Sequence, residues 1–192
     1  MRRMLAGLLL CCALQVQAAP GMAQHLELDI CFNYGCLVVQ TVSLSPEQRA
    51  VLVGEMLKAT DAAGEREQLE WVIARLYRWA GEQSPIGADR AGDYLDLGAE
   101  GRMDCIDHAH TTTVMLEQLQ EAGALRHHRV LDIARRTSWV IMQHFTAVIE
   151  DTESGRRYAV DTWFRDHGEP PVVMDMEHWK NGGYPDDWNA RR

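Results

Sequence analysis

Residues 139–164 read WVIMQHFTAVIEDTESGRRYAVDTWF, and this stretch decides the fold. Two runs rich in β-branched and aromatic residues, Trp139 to Glu150 and Arg157 to Phe164, flank the turn Thr152-Glu153-Ser154-Gly155. The pattern is that of an antiparallel hairpin. A four-residue loop pairs Asp151 with Arg156, and counting back then sets Thr146 opposite Asp161 and His144 opposite Trp163. His144 and Asp161 therefore share a face as diagonal neighbours, about 7–8 Å apart by Cα. A slip of one residue puts them on opposite faces.

Working outward, a strand over about His127 to Ala134 precedes the hairpin, and a helix precedes that strand. Asp104 is placed to cap this helix, with Asp107 at its third position completing a capping-box-like pair. Ala109, Thr112, Leu116 and Leu119 repeat at helical spacing, and Gly123 stops it. Nearer the N-terminus, Leu26 to Phe32 and Leu37 to Leu44 read as strands. Ser45-Pro46-Glu47 starts a helix, and a longer helix runs from about Glu65 to Ala80. Residues 82–102, rich in Gly, Asp and Pro, read as a long loop. Pro170 and Pro171 break the pattern before a short helix near Asp175 to Trp179. Helices first and antiparallel strands afterwards predict an α+β domain, with the third helix packed on an antiparallel sheet.

Cys105 falls at the first position of the third helix. Unpaired backbone N–H groups there are expected to lower a thiol's pKa and to receive an oxyanion. With His144 and Asp161 on one face of the hairpin, the pattern allows a Cys–His–Asp triad. Cys105 is then the nucleophile, His144 the base and Asp161 the group that holds the imidazole tautomer. Gln83, in the upstream loop, is a candidate second oxyanion donor.

Cysteine usage agrees with this reading. Of five cysteines, Cys11 and Cys12 lie in an apolar N-terminal run, which leaves Cys31, Cys36 and Cys105. Cys31 and Cys36 flank Phe32-Asn33-Tyr34-Gly35, a turn that a disulfide would close. Cys105 remains a free thiol.

The stretch Met103-Asp104-Cys105-Ile106-Asp107-His108, followed by His144 on one strand and Val160-Asp161 on the next, resembles the bacterial transglutaminase-like cysteine peptidases. The resemblance covers roughly Gln83 to Phe164. It implies a papain-like α+β fold and acyl transfer, usually hydrolysis of a peptide or amide in a protein or peptide substrate. No cofactor is expected, calcium being the one that the resemblance raises. Many periplasmic members carry an aromatic residue where His108 stands. Some place an acidic residue of a calcium site directly after the nucleophile, and Ile106 occupies that position here.

Two alternatives stand beside this reading. One is a catalytically silent peptide-binding module on the same fold. The other is a zinc site around Cys105, His108 and His110, with His127, His128 or His178 converging from elsewhere. The chain has no HExxH or CxxC pattern, so no metal site is expected.

Residues 1–18 read as an export signal, with Arg2 and Arg3, an apolar run from Leu5 to Leu14, and Val16-Gln17-Ala18 before a cleavage after Ala18 or Ala19. Residues 19–192 are then a single domain, periplasmic or secreted. With 19 Lys and Arg against 28 Asp and Glu, the net charge is −9, and no basic stripe is present. That balance argues against nucleic acid as a partner. No stretch is apolar enough for a membrane span.

Overall fold

The structure is a computed structural model that describes residues 25–92, 98–138 and 142–188. The segment read as an export signal lies outside these residues, as does the expected strand start at Trp139.

Strands β1 (Leu26–Phe32) and β2 (Val38–Leu44) form an antiparallel pair, with Leu26 opposite Leu44 and Phe32 opposite Val38. Helix α1 (Pro46–Met56) follows at once. Ser45 caps it with its hydroxyl, Pro46 sits where no amide partner is needed, and Gln48 closes a capping box. Helix α2 (Ala62–Gly81) begins earlier than its apolar stripe suggests, because Asp61 accepts the Gly64 amide. Its buried face carries Leu69, Val72, Ile73 and Leu76. The stretch expected as plain loop contains a short 3-10 turn, Pro85–Ala88.

Helix α3 (Cys105–Glu121) is capped by Asp104. At its far end Gly123 takes φ +69°, and the Ala124 amide reaches back to Leu119, as the Schellman motif requires. A four-stranded antiparallel sheet follows, in the order β3 (His128–Ser138), β4 (Met142–Asp151), β5 (Arg157–Asp161) and β6 (Val172–Asp175), before helix α4 (Met176–Lys180). The architecture is α+β. Instead of one sheet carrying α3 there are two, and α3 packs against both, on β1 through Thr111 and Cys31 and on β4. Ile30, Leu44, Leu76, Met115, Ile149 and Val160 meet in the core around it. None of the described helices is long and apolar enough to cross a membrane.

The β4–β5 register is the one the turn length dictates: Ala147 faces Val160, and the Asp151 amide donates to the Arg156 carbonyl. Strand β5 ends at Asp161, short of the expected Phe164. Asp161 Oδ1 accepts the Trp163 amide at 3.2 Å, an Asx turn that swings the chain off the sheet. Strand β3 runs past Ala134 to Ser138, with a bulge between Leu131 and Ala134. Strand β6, hidden in the sequence behind Pro170 and Pro171, pairs along β5 from Asp161–Val172 to Tyr158–Asp175.

Candidate active site

The site is assembled around the first turn of α3. Asp104 Oδ1 accepts the amides of Ile106 and Asp107, each at 2.9 Å, and Asp107 Oδ2 accepts the Asp104 amide at 3.1 Å. Both carboxylates also face the β1–β2 turn, which Cys31 and Cys36 close with a disulfide. Asn33, Tyr34, Gly35 and Cys36 all adopt left-handed backbone, with φ of 68°, 67°, 67° and 55°. That run aims successive amides at the helix start. Tyr34 and Cys36 donate to Asp107 at 2.8 and 2.5 Å, and Gly35 donates to Asp104 at 3.1 Å. Below the turn, Asn33 donates its amide to the Arg102 carbonyl and accepts the Gly101 amide on its side chain. The acidic pair is thus filled with amide hydrogen bonds on all four oxygens.

Cys105 is a free, partly exposed thiol at the first position of this helix. Its S–H faces the carbonyl of Gln143, with Sγ to O at 3.9 Å, and this contact seats it beside β4 next to His144. Strand β4 presents an unpaired edge there, because β5 has already ended. The helix start was expected to lower the thiol's pKa. The opposite holds: burial pushes it up to about 11. An amide hydrogen bond from Phe145 opposes the rise, and the charges of Asp104 and Asp161 reinforce it. One helix end is outweighed by desolvation and two carboxylates.

His144 Nε2 and Asp161 Oδ2 lie 2.7 Å apart, and both side chains are buried. The same Asp161 oxygen accepts Trp179 Nε1–H at 2.9 Å. With the amide of Trp163, three donors converge on one carboxylate. The imidazole is enclosed by aromatic rings, with centroids of Trp163, Phe164 and Trp179 at 4.9, 5.4 and 5.7 Å. An acceptor on Nε2 assigns the ring proton there and leaves the lone pair on Nδ1. Nδ1 is buried and has no hydrogen-bond partner among the described residues. His144 and Asp161 are therefore brought together, with one ring nitrogen uncommitted, and Cys105 meets the carbonyl of the residue before His144.

Behind the helix lies a second buried polar group that the sequence did not announce. Asp89 accepts the Met103 amide at 2.9 Å and pairs with His108 Nε2 at 3.1 Å. His108 Nδ1 meets the Thr162 hydroxyl at 2.9 Å, and Thr162 contacts Thr112 and Tyr77 at 3.1 and 3.2 Å. This chain ties the residue after Asp161 to the helix that carries Cys105.

Gln83 does not reach the site. Its carboxamide is spent on both backbone groups of Ser43 and on the Trp79 carbonyl, where it ties the end of α2 to β2. The zinc cluster does not form either, since both ring nitrogens of His108 are engaged and His110 points to solvent. His128 is held by buried Glu65 at 2.8 Å. Among the described residues, the group best spaced for a metal is Cys31, Cys36 and Asp107, but a disulfide offers no thiolates. The roles of Trp179 and Asp89 left no periodic signal in the sequence. An aspartate in a Gly-rich loop and a tryptophan in a short helix were the only traces.

Comparison of the chain with protein-family models, with curated proteins and with solved structures found no match.

Proposed function

We propose that the chain is a cysteine-dependent acyl-transfer enzyme of the transglutaminase-like kind, hydrolysing a peptide or amide bond in a protein or peptide substrate. The observation that carries this reading is the buried His144–Asp161 pair, whose Nδ1 has no partner among the described residues and whose histidine follows Gln143, the residue that Cys105 meets. With its pKa near 11 the resting thiol is protonated, so the reaction begins by general-base catalysis rather than from a stored thiolate. His144 Nδ1 takes the S–H proton as Sγ bonds to the substrate carbonyl carbon. Asp161 stabilises the imidazolium through Nε2–H. The Cys105 amide receives the tetrahedral oxyanion, because those of Ile106 and Asp107 are committed to Asp104 Oδ1. His144 then returns the proton to the leaving amine, and water repeats the sequence on the thioester.

One observation favours a second reading, a catalytically silent peptide-binding module: a thiol held this high is unreactive by itself at neutral pH. Alkylation of Cys105 and cleavage of a peptide library separate the two. The expected result is turnover that Cys105→Ala abolishes, with His144→Ala slowing both turnover and alkylation. Asp161→Asn, which offers an amide donor to Nε2 and favours the wrong tautomer, should cost about 10²–10⁴ in rate if serine-triad behaviour transfers. A Cys105 that alkylates identically with and without His144 overturns the enzyme reading.

A further inference from the structure

We infer that the Cys31–Cys36 loop is a redox-sensitive positioning element for the nucleophile, acting through Asp104 and Asp107. The inference rests on the acyl-transfer reading above and adds a control to it. Its basis is the direction of the hydrogen bonds. A disulfide that only stapled β1 to β2 would leave the turn facing solvent. Here the amides of Tyr34, Gly35 and Cys36 all point at the two carboxylates that build the first turn of α3. Asp107 is fully buried and lies two residues from Cys105. It receives the Tyr34 and Cys36 amides and the Asp104 amide together. The position of Cys105 is therefore set from one side by the loop and from the other by β4.

The cross-link matters because the aiming conformation is one that L residues avoid. Three of the four consecutive left-handed residues, Asn33, Tyr34 and Cys36, are not glycine. The ring closed by Cys31 and Cys36 restricts the turn to this shape. A dithiol reductant opens it by exchange: its two S–H groups become one disulfide, and Cys31 and Cys36 each gain a proton and an electron. The freed turn relaxes toward right-handed or extended backbone and withdraws its amides. Asp104 is among the charges that push the Cys105 thiol up. An Asp104 that has lost the Gly35 amide acts on that thiol with less of its charge neutralised.

The consequence runs against ordinary cysteine-enzyme behaviour. A dithiol keeps Cys105 in its reactive state and yet should slow it. The test follows iodoacetamide labelling of the Cys105 peptide by mass spectrometry from pH 6 to 10. It compares the oxidised protein, the protein reduced by a dithiol and desalted, Cys31→Ser/Cys36→Ser, and Asp107→Asn with its disulfide intact. Circular dichroism checks the fold of each. The reduced protein and Cys31→Ser/Cys36→Ser should share a profile displaced to higher pH, with Cys105 labelling at neutral pH about tenfold slower for each pH unit of displacement. Asp107→Asn, which removes the amide acceptor together with a negative charge, should instead depart from the parent profile toward lower pH. Reoxidation should restore the original profile of the reduced protein. If opening the ring unfolds the chain, Asp107→Asn alone decides. Superimposable profiles for the oxidised protein, the reduced protein and Asp107→Asn, in a protein whose labelling still depends on His144, would overturn the positioning role and leave the acyl-transfer reading standing. Labelling that ignores His144 as well would overturn both.

Discussion

The indole N–H of Trp179 donates to Asp161 Oδ2 at 2.9 Å, on the same oxygen that holds His144 Nε2. Trp179 is itself gripped from behind: Arg136 stacks on its ring at 4.8 Å and donates to its carbonyl. Trp179→Phe keeps a ring in the wall and removes only the donor. A buried hydrogen bond to a charged group contributes about 1.5–3 kcal/mol, so that loss of stability is expected by denaturant titration. Peptide turnover should fall with it, since Asp161 is then free to rotate away from the imidazole. An unchanged denaturation midpoint would show that the indole contact contributes nothing.

The Cys105 thiol gives the fold a dependence on alkaline pH whose sign can be worked out. Its folded pKa, about 11, lies above the ordinary 9.0, so the folded state holds this proton more tightly than the unfolded chain does. The stabilisation is complete below about 9 and is lost as pH rises through 11. Thermal melts of the parent should therefore fall across that window more steeply than those of Cys105→Ala. Parallel curves would place the thiol in ordinary solvent.

Asp104 acts on Cys105 in two separable ways, as helix cap and as charge. Asp104→Ala removes both and should cost about 1 kcal/mol of stability, whereas Asp104→Asn keeps a competent cap and should be close to neutral. Both variants lower the pH at which Cys105 is alkylated, because the Asp104 charge is one of the causes that raise it. Melting and alkylation profiles measured together check this. A loss of stability equal in the two variants would assign the effect to charge instead of capping.

Glu65 provides a pH test at the acid end. Burial pushes its carboxyl up, but hydrogen bonds from His128 and from the amides of Arg126 and His127 outweigh that and hold it below its ordinary 4.5. Its contribution is present above 4.5 and is lost as pH falls through the lower folded value. Glu65→Ala leaves His128 and two amides without their acceptor and should cost about 3–5 kcal/mol at neutral pH. The variant's acid unfolding should also be shallower than the parent's. A variant as stable as the parent would mean that water replaces all three bonds.

The hairpin that brings His144 to Asp161 was legible because turn length and strand period together leave one register that places both on a face. The cap at Asp104 and the Cys31–Cys36 pairing were legible for the same reason: both are short-range. What stayed hidden is long-range. Nothing local links Asp89 to His108 and Thr162, or aims the amides of Tyr34 and Cys36 at Asp107. Strand β6 was hidden by Pro170 and Pro171, since an edge strand of four residues tolerates a proline at its border. The state of the Cys105 thiol was misread because sequence shows the helix end but neither the burial nor the distance to two carboxylates.

The two halves of the site differ in how far along the chain their partners lie. His144 and Asp161 are 17 residues apart, within one hairpin, whereas Tyr34 reaches Asp107 across 73. Closing the longer loop costs more chain entropy and contributes to a slower search. The expected order of folding is therefore base first and nucleophile last. Mutations in the 142–161 hairpin should slow refolding, while mutations in the 33–36 turn should mainly quicken unfolding. The chemistry would then be switched on by the final docking event rather than by the formation of the sheet.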